Sequence, residues 1–184
     1  RANRPCSAIA HGSLMPLTPA LRNVWASTHE GAGHDERITY QHAAELVADT
    51  LRRNNWRVAV LDAAEAKTSD LEGHDLILLG SCTWLRQTPD GPKQGELPEH
   101  MYRFVQQLIK HQHRGQWAVF AFGRHEYTKF CGAADHLEEA VSATGGYLVT
   151  ETLRIDGFFE SNRGAIEAWA KGLAKAAVAE KSQA

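Results

Sequence analysis

The feature that most constrains the fold is a short apolar run that ends in small polar residues. Residues 76–79 are four consecutive apolar residues, and Gly80 follows them. A run of this length bounded by turn residues predicts a strand buried on both faces, as in a parallel sheet. Residues 81–84 come next, at the carboxyl end of that strand, where open α/β sheets bind their ligands. The stretch therefore predicts a sheet with a binding loop, and an ordinary loop with a core Trp84 is the alternative.

Other segments repeat this pattern along the chain. Runs of apolar residues predict further strands at residues 6–13, 57–61, 117–122 and 147–155. Apolar residues at spacings of three and four predict helices at residues 40–53, 97–107, 136–143 and 162–179. Strands that alternate with helices indicate the α/β class with parallel crossovers.

Two of the predicted binding loops resemble those of a known family. Residues 80–84 match a loop of the form Gly, small residues, Thr-Trp, and residues 127–135 match Tyr-x-x-Phe-Cys-Gly-Ala-x-Asp. These are similar to the two flavin-binding loops of short-chain bacterial flavodoxins. Residues 153–157, Leu-Arg-Ile-Asp-Gly, resemble the last strand and turn of that family. The resemblance covers residues 39–173 and the first strand.

The resemblance implies a flavodoxin-like three-layer sandwich with a five-stranded parallel sheet in the order 2-1-3-4-5. It implies an electron-transfer protein that binds FMN and meets redox partner proteins. The residues it implies for cofactor binding are Ser13, Thr39, Ser81, Cys82, Thr83, Trp84, Leu85, Gly123, Arg124, His125, Tyr127, Phe130 and Cys131.

The chemistry of a flavin gives these positions their roles. Trp84 and Tyr127 supply two aromatic planes for the three-ring system. Thr83 and backbone groups near Gly123–His125 and Cys131 supply hydrogen bonds to the ring. Backbone N–H groups at the N-terminus of the helix predicted near Thr39 attract the phosphate. A core Trp84 and a surface Tyr127 are the alternative interpretations.

The phosphate end departs from the family pattern. We predict an insertion at residues 14–37 that interrupts the phosphate loop after the first strand. In one interpretation of this insertion, residues 19–25 form a short helix capped by Thr18. Ser27 and Thr28 with nearby glycines rebuild an anion site in one interpretation, and a solvated surface loop is the other. His29, Glu30 and His34 miss the spacing of a zinc-protease helix by one residue, so no metal site is predicted.

The first of the two flavin-binding loops departs from the family pattern as well. Cys82 stands where the family commonly has a phosphate-contacting Ser, and Leu85 stands where it often has Gly. Leu85 disfavours the positive φ that Gly accepts. Arg86, Lys93 and Arg124 favour the negatively charged reduced flavin if they lie near the ring.

Composition bounds the remaining possibilities. The 184 residues predict a single domain, residues 1–184, and 43% hydrophobic residues suffice for a core. A net charge of −2 gives no field that favours nucleic acid, and no apolar run is long enough for a membrane span. Three cysteines without metal spacing predict a reducing, cytoplasmic protein. We expect a monomer.

Two alternatives to an electron carrier stay open at this point. One is a flavodoxin-fold module that has lost FMN and serves as an interaction or other ligand-binding domain, because fold alone does not define function. The other is a small flavin reductase, although no group of residues in the sequence suggests substrate activation.

Overall fold

The structure, a computed structural model, describes residues 7–11, 20–26 and 34–181, with side chains described for residues 41–177. Its strands and helices follow one another along the chain. They are β1 (Ser7–His11), β2 (Ala20–Ala26), α1 (His34–Arg53), β3 (Arg57–Asp62), a 3₁₀ turn (Thr68–Leu71), β4 (Leu76–Cys82), β5 (Trp84–Thr88), β6 (Gly91–Glu96), α2 (Glu99–Leu108), β7 (Gln116–Gly123), α3 (Gly132–Ala143), β8 (Tyr147–Leu148), β9 (Leu153–Asp156) and α4 (Phe159–Lys181).

A mostly parallel sheet forms the centre of the fold. Its strand order is β1-β3-β2-β4-β7-β8, and β9 also pairs with β7. All these pairings are parallel except those of β1, which runs antiparallel to both β2 and β3. Helices flank the sheet, so the predicted α/β class is confirmed. The predicted count of five strands is wrong, because this sheet has seven strands and β5 and β6 form a second, two-stranded sheet.

The first central strand is not the one that we predicted. β2 lies between β3 and β4 and pairs with β4 from Leu21↔Leu76 to Ala26↔Ser81. The helix predicted over residues 19–25 is therefore wrong, and the strand predicted over residues 6–13 supplies only the antiparallel β1. The Thr18-Pro19 pair is a local helix-start signal, but pairing along β4 satisfies the backbone of β2 as a strand, and tertiary pairing overrides weak local preference.

Side chains from alternate positions of β4 enter two separate cores. Ile77 and Leu79 join the core beneath α2 and α3. Leu76 and Leu78 join the core beneath α1 and α4. Every residue of β4 is buried, which confirms a strand covered on both faces. The three layers that the sequence predicts are thus present.

Three of the four described helices begin earlier than predicted, whereas α2 begins later, at Glu99 rather than at residue 97. α1 begins at His34 rather than near Thr39, and α3 begins at Gly132 rather than at His136. Among the described residues, no helix is both long and apolar enough to cross a membrane. Because β2, β4 and β7 are parallel neighbours, their carboxyl ends share one edge of the sheet. That edge carries the hairpin of β5 and β6 and residues 124–131, and β2 ends there at Ala26.

Candidate cofactor site

Trp84 is placed by the chain just after β4. The Thr83 backbone N–H donates to the Phe122 carbonyl at 2.8 Å, which extends the β4–β7 pairing by one residue. The Ala133 backbone N–H donates to Thr83 Oγ1 at 3.3 Å, so the Thr83 hydroxyl is held by the first turn of α3. Trp84 is half-buried and packs against the core of α1 and α4. One part of its side chain is therefore fixed while another stays accessible.

The hairpin of β5 and β6 continues from Trp84. Its strands pair from Trp84↔Glu96 to Thr88↔Gly91, with an irregularity between Trp84 and Leu85. The chain reverses between Thr88, where β5 ends, and Gly91, where β6 begins. Leu85 is 48% exposed and is not among the described non-glycine residues with positive φ. The steric penalty predicted at Leu85 therefore does not arise in this conformation.

Arg86 does not present a free charge at the site. Its Nη2 lies 3.2 Å from Glu96 Oε2, and its guanidinium lies 3.7 Å from the centroid of the Tyr102 ring. Arg124 is similarly paired, with its Nη2 3.0 Å from Glu126 Oε2. Two of the three cations predicted to attract charge onto the flavin are therefore balanced by neighbouring carboxylates.

The second aromatic plane lies on the loop after β7. Tyr127 is 49% exposed and Phe130 is exposed beside it in sequence. The Tyr127 N–H donates to the Arg124 carbonyl at 3.0 Å, which folds the loop back on itself. An exposed Tyr on a folded loop is available for contact with a planar ligand.

This loop is anchored to the turn after β9. The His125 N–H donates to Asp156 Oδ1 at 3.1 Å, and His125 Nδ1 contacts Asp156 Oδ2. The Gly157 N–H donates to the Gly123 carbonyl at 2.9 Å. Hydrogen bonds from His125 lower the pKa of the Asp156 carboxyl below its usual value. The backbone donor of His125, which we predicted to meet the flavin, is thus already used within the protein.

Cys131 anchors the end of this loop in the protein core. It is fully buried, and its Sγ donates to the carbonyls of Ala121 at 3.5 Å and Ile155 at 3.6 Å. Burial raises the pKa of the Cys131 thiol to about 12, so the side chain is neutral at physiological pH. A Cβ added at Gly123 would lie 2.5 Å from the Cys131 backbone nitrogen, so the strand end must be a glycine for the loop to pack.

The residues predicted at the phosphate end are spread over several environments. Ser81 and Cys82 are both buried, and the Ser81 hydroxyl donates to the Cys82 carbonyl at 3.1 Å. Cys82 packs in the core of α1 and α4. Thr39 lies in the second turn of α1, and its side chain, like the whole of Ser13, is outside the described part of the chain. Among the described residues, no group of three or more His, Cys, Asp or Glu is placed to hold a metal ion.

The described residues fit a flat aromatic ligand at this edge. Trp84 and Tyr127 follow the neighbouring parallel strands β4 and β7, and both keep part of their side chains accessible. Sequence reasoning missed the roles of Glu96 and Asp156, which hold the two loops. Asp156 falls in the segment 153–157 that carries the family resemblance, so a signal for it was present, whereas nothing local marked Glu96.

Comparisons with known proteins identify the family. The sequence model of the flavodoxin family matches residues 39–169. A flavodoxin of Nitratidesulfovibrio vulgaris is 34% identical over 131 residues, which cover 69% of this chain and 83% of that protein. A flavodoxin of Maridesulfovibrio salexigens is 31% identical over 72% of this chain and 86% of its own length.

Solved structures give the same result for the fold. A flavodoxin from Streptococcus pneumoniae TIGR4 superposes with a TM-score of 0.66 at 25% identity, covering 82% of this chain and 94% of that one. Oxidised flavodoxin 1 from Bacillus cereus gives a TM-score of 0.64 at 24% identity, covering 84% and 93%.

The chain belongs to the flavodoxin family. Proteins of this family bind FMN and carry electrons to redox partner proteins, and this chain is accordingly an electron-carrier flavoprotein rather than an enzyme. The alternative of a module without FMN is not favoured.

Proposed function

We propose that this chain binds FMN with the flavin ring between Trp84 and Tyr127. The observation that carries the proposal is that two aromatic side chains, both partly accessible, follow the ends of adjacent parallel strands. Burying the ring against such side chains contributes on the order of 1 kcal/mol for each plane beyond the area buried. The segments that carry the two aromatic residues also contain Thr83, Leu85, Phe130 and the backbone near Cys131.

The phosphate end is proposed at residues 27–33. This segment joins the carboxyl end of β2 to His34, where α1 begins, and Ala26 is in register with Ser81 of β4. A strand that leads through a short connection into a helix N-terminus is the arrangement that favours phosphate, because the helix dipole and free backbone N–H groups attract the anion. Ser27 and Thr28 add hydroxyl donors. Ser13 lies outside the described residues, as do residues 27–33, so its place at the phosphate end stays a prediction.

The protein's residues would bind and shield the cofactor without chemistry of their own. Bound FMN supplies the capacity to accept and release electrons, while the protein tunes it. Half-buried Trp84 excludes water from one side. The neutral Cys131 thiol and the balanced Arg86–Glu96 and Arg124–Glu126 pairs add no net charge beside the ring. Exposed Leu85, Tyr127 and Phe130 offer an apolar edge for a redox partner.

Domain organisation, location and oligomeric state are proposals as well. We propose a single domain over residues 1–184 that acts as a cytoplasmic monomer and does not bind nucleic acid. The net charge of −2 supports the lack of nucleic-acid binding, the three cysteines without metal spacing support a reducing compartment, and the length supports one domain.

Titration with FMN and with riboflavin tests the proposed site. We expect one FMN per chain with quenched flavin fluorescence, and weaker binding of riboflavin because it lacks the phosphate. Replacing both Ser27 and Thr28 with Ala should weaken FMN binding and leave riboflavin binding nearly unchanged. Thr18→Ala, which precedes β2, serves as the control. Equal affinity of the wild type for FMN and riboflavin would argue against a phosphate site at residues 27–33.

A further inference from the structure

The hairpin that carries Trp84 must be held by something other than the main sheet. β5 and β6 pair only with each other among the described strands. Along β5, half-buried Trp84, Arg86 and Thr88 alternate with exposed Leu85 and Gln87, so the first three share the inner face. Glu96 is the cross-strand partner of Trp84, and directly opposed residues lie on the same face.

Arg86 connects this inner face to two helices. Its guanidinium stacks 3.7 Å from the ring centroid of Tyr102 in α2. Its Nη2 lies 3.2 Å from Glu96 Oε2, with only 21% and 12% of the two side chains exposed. Glu96 Oε1 in turn lies 3.8 Å from His136 Nε2 in α3. One cluster, made of Arg86, Glu96, Tyr102 and His136, therefore joins the hairpin to both helices that cover this face.

The backbone of the hairpin is pressed against α3 beside this cluster. A Cβ at Gly132 would lie 2.5 Å from the Gly95 carbonyl oxygen, and Gly95 itself has φ +81°. Such contacts place β6 on the first turn of α3, and antiparallel pairing joins β5 to β6. The side chains of Arg86 and Glu96 add an ion pair between the two strands, which fixes the face that includes Trp84.

The ion pair is better suited to fixing a position than to adding stability. Desolvation offsets much of the attraction within a buried pair, although removal of one partner leaves the other charge uncompensated. Arg86 Nε is also buried without an acceptor among the described residues. The Arg86–Glu96 pair thus leaves one donor without a hydrogen bond. Its role is explained by orientation, because the planar guanidinium fixes the hairpin by stacking on Tyr102 and pairing with Glu96.

We infer that Arg86 is a positioning residue that fixes Trp84 for flavin binding, an inference that rests on the proposed function. Glu96 balances its charge, so Arg86 acts on the cofactor through the orientation of the hairpin rather than through its own field. Tyr102 provides the surface on which the guanidinium rests.

The experiment uses the full chain as wild type and in five variants: Arg86→Met, Arg86→Lys, Glu96→Gln, the double variant of Arg86→Met with Glu96→Gln, and Arg103→Met. Arg103 is the matched control, because its Nε pairs with Glu99 Oε1 at 2.7 Å on the exposed face of α2. Three quantities are measured: FMN affinity from fluorescence, the reduction potential of bound FMN, and the ¹⁹F resonance of Trp84 in fluorotryptophan-labelled protein without FMN. The resonance is assigned with Trp84→Phe.

We expect Arg86→Met and Glu96→Gln each to weaken FMN binding about tenfold or more and to shift or broaden the Trp84 resonance. The double variant should be no weaker than Arg86→Met alone, because the two residues act as one unit. Arg103→Met should change neither the FMN affinity nor the Trp84 resonance. Arg86→Lys keeps the charge but loses the planar stacking, so it should fall between wild type and Arg86→Met, and it replaces Arg86→Met if that variant does not fold.

The inference is overturned if Arg86→Met, or Arg86→Lys in its place, binds FMN within twofold of wild type with an unchanged Trp84 resonance. It is also overturned if Arg86→Met shifts the flavin potential while the Trp84 resonance stays unchanged, since that result assigns a direct charge effect. Failure of the wild type to bind FMN defeats the proposed function instead, and the ¹⁹F signal of the unliganded variants still decides whether Arg86 positions Trp84.

Discussion

The two loops that flank the proposed flavin site are held in different ways. The hairpin after β4 is held by a largely buried ion pair, a stacked Tyr102 and close backbone packing on α3. The loop after β7 is held at its outer side by the exposed pair His125–Asp156, whose side chains are 72% and 46% exposed. Exposed pairs contribute little and are screened by salt, whereas buried contacts are screened much less. Trp84 is therefore the more rigid plane and Tyr127 the more adaptable one.

Gly132→Ala should produce the largest effect, a loss of stability, because it disrupts the backbone packing that holds the hairpin. The new Cβ would lie 2.5 Å from the Gly95 carbonyl oxygen, and backbone atoms cannot move aside cheaply. We expect a loss of about 1–3 kcal/mol in the free energy of unfolding, measured by denaturant titration. Gly164→Ala in α4, where no atom lies within 4 Å of the new Cβ, should be neutral or stabilising. Equal stability of the two variants would mean that the hairpin does not depend on this contact.

Trp84→Ala should weaken FMN binding by at least tenfold, or about 1.4 kcal/mol. The variant removes the plane that packs on the core of α1 and α4 and so loses both ring contact and water exclusion. A fluorescence titration measures the dissociation constant. Wild-type affinity in this variant would show that Trp84 is only a core residue.

Tyr127→Ala should weaken binding less, by about 0.5–1.5 kcal/mol, because the half-exposed ring contacts the flavin from a loop that can adapt. Tyr147→Ala is the control. Tyr147 is almost equally exposed, at 48%, but pairs with Gln116 at the opposite end of β7. If Tyr127→Ala proves as harmful as Trp84→Ala, the proposed difference between the two planes is lost.

Asp156→Asn should loosen only the second loop, and this is the smallest effect. The pKa of Asp156 is lowered by His125, so its contribution is present above the carboxyl's unfolded pKa and is lost as the pH falls through the lowered folded value. At pH 7 the variant should speed tryptic cleavage after Arg124 and Lys129. Cleavage after Arg86 and Lys93 in the hairpin should keep its wild-type rate, and faster cleavage at all four sites would contradict separate anchoring.

The sequence predicted the sheet better than its first strand. Residues 76–79 and 117–122 are uniform apolar runs, and such runs have few alternatives to a buried strand. Residues 19–25 carry a helix-start signal, and only pairing with β4, distant in sequence, makes them strand β2. No local pattern encodes that partner.

At the site, the sequence predicted the two aromatic residues but not the residues that hold them in place. Trp84 and Tyr127 stand at motif positions, whereas the sequence identifies Arg86 only as a cation that favours the reduced flavin if it lies near the ring. Its stacking on Tyr102 depends on how α2 packs beneath the hairpin. Likewise, the 31-residue separation between His125 and Asp156 hides their contact from any local pattern.

The most direct test of the account is a nuclear Overhauser measurement on the full chain loaded with FMN. Assigned side-chain protons of Trp84 and Tyr127 are examined for contacts with the flavin ring protons. The account predicts contacts from the ring to both side chains, with Trp84 ordered before FMN is added. Bound FMN whose ring protons contact neither side chain, or only one of them, would contradict it.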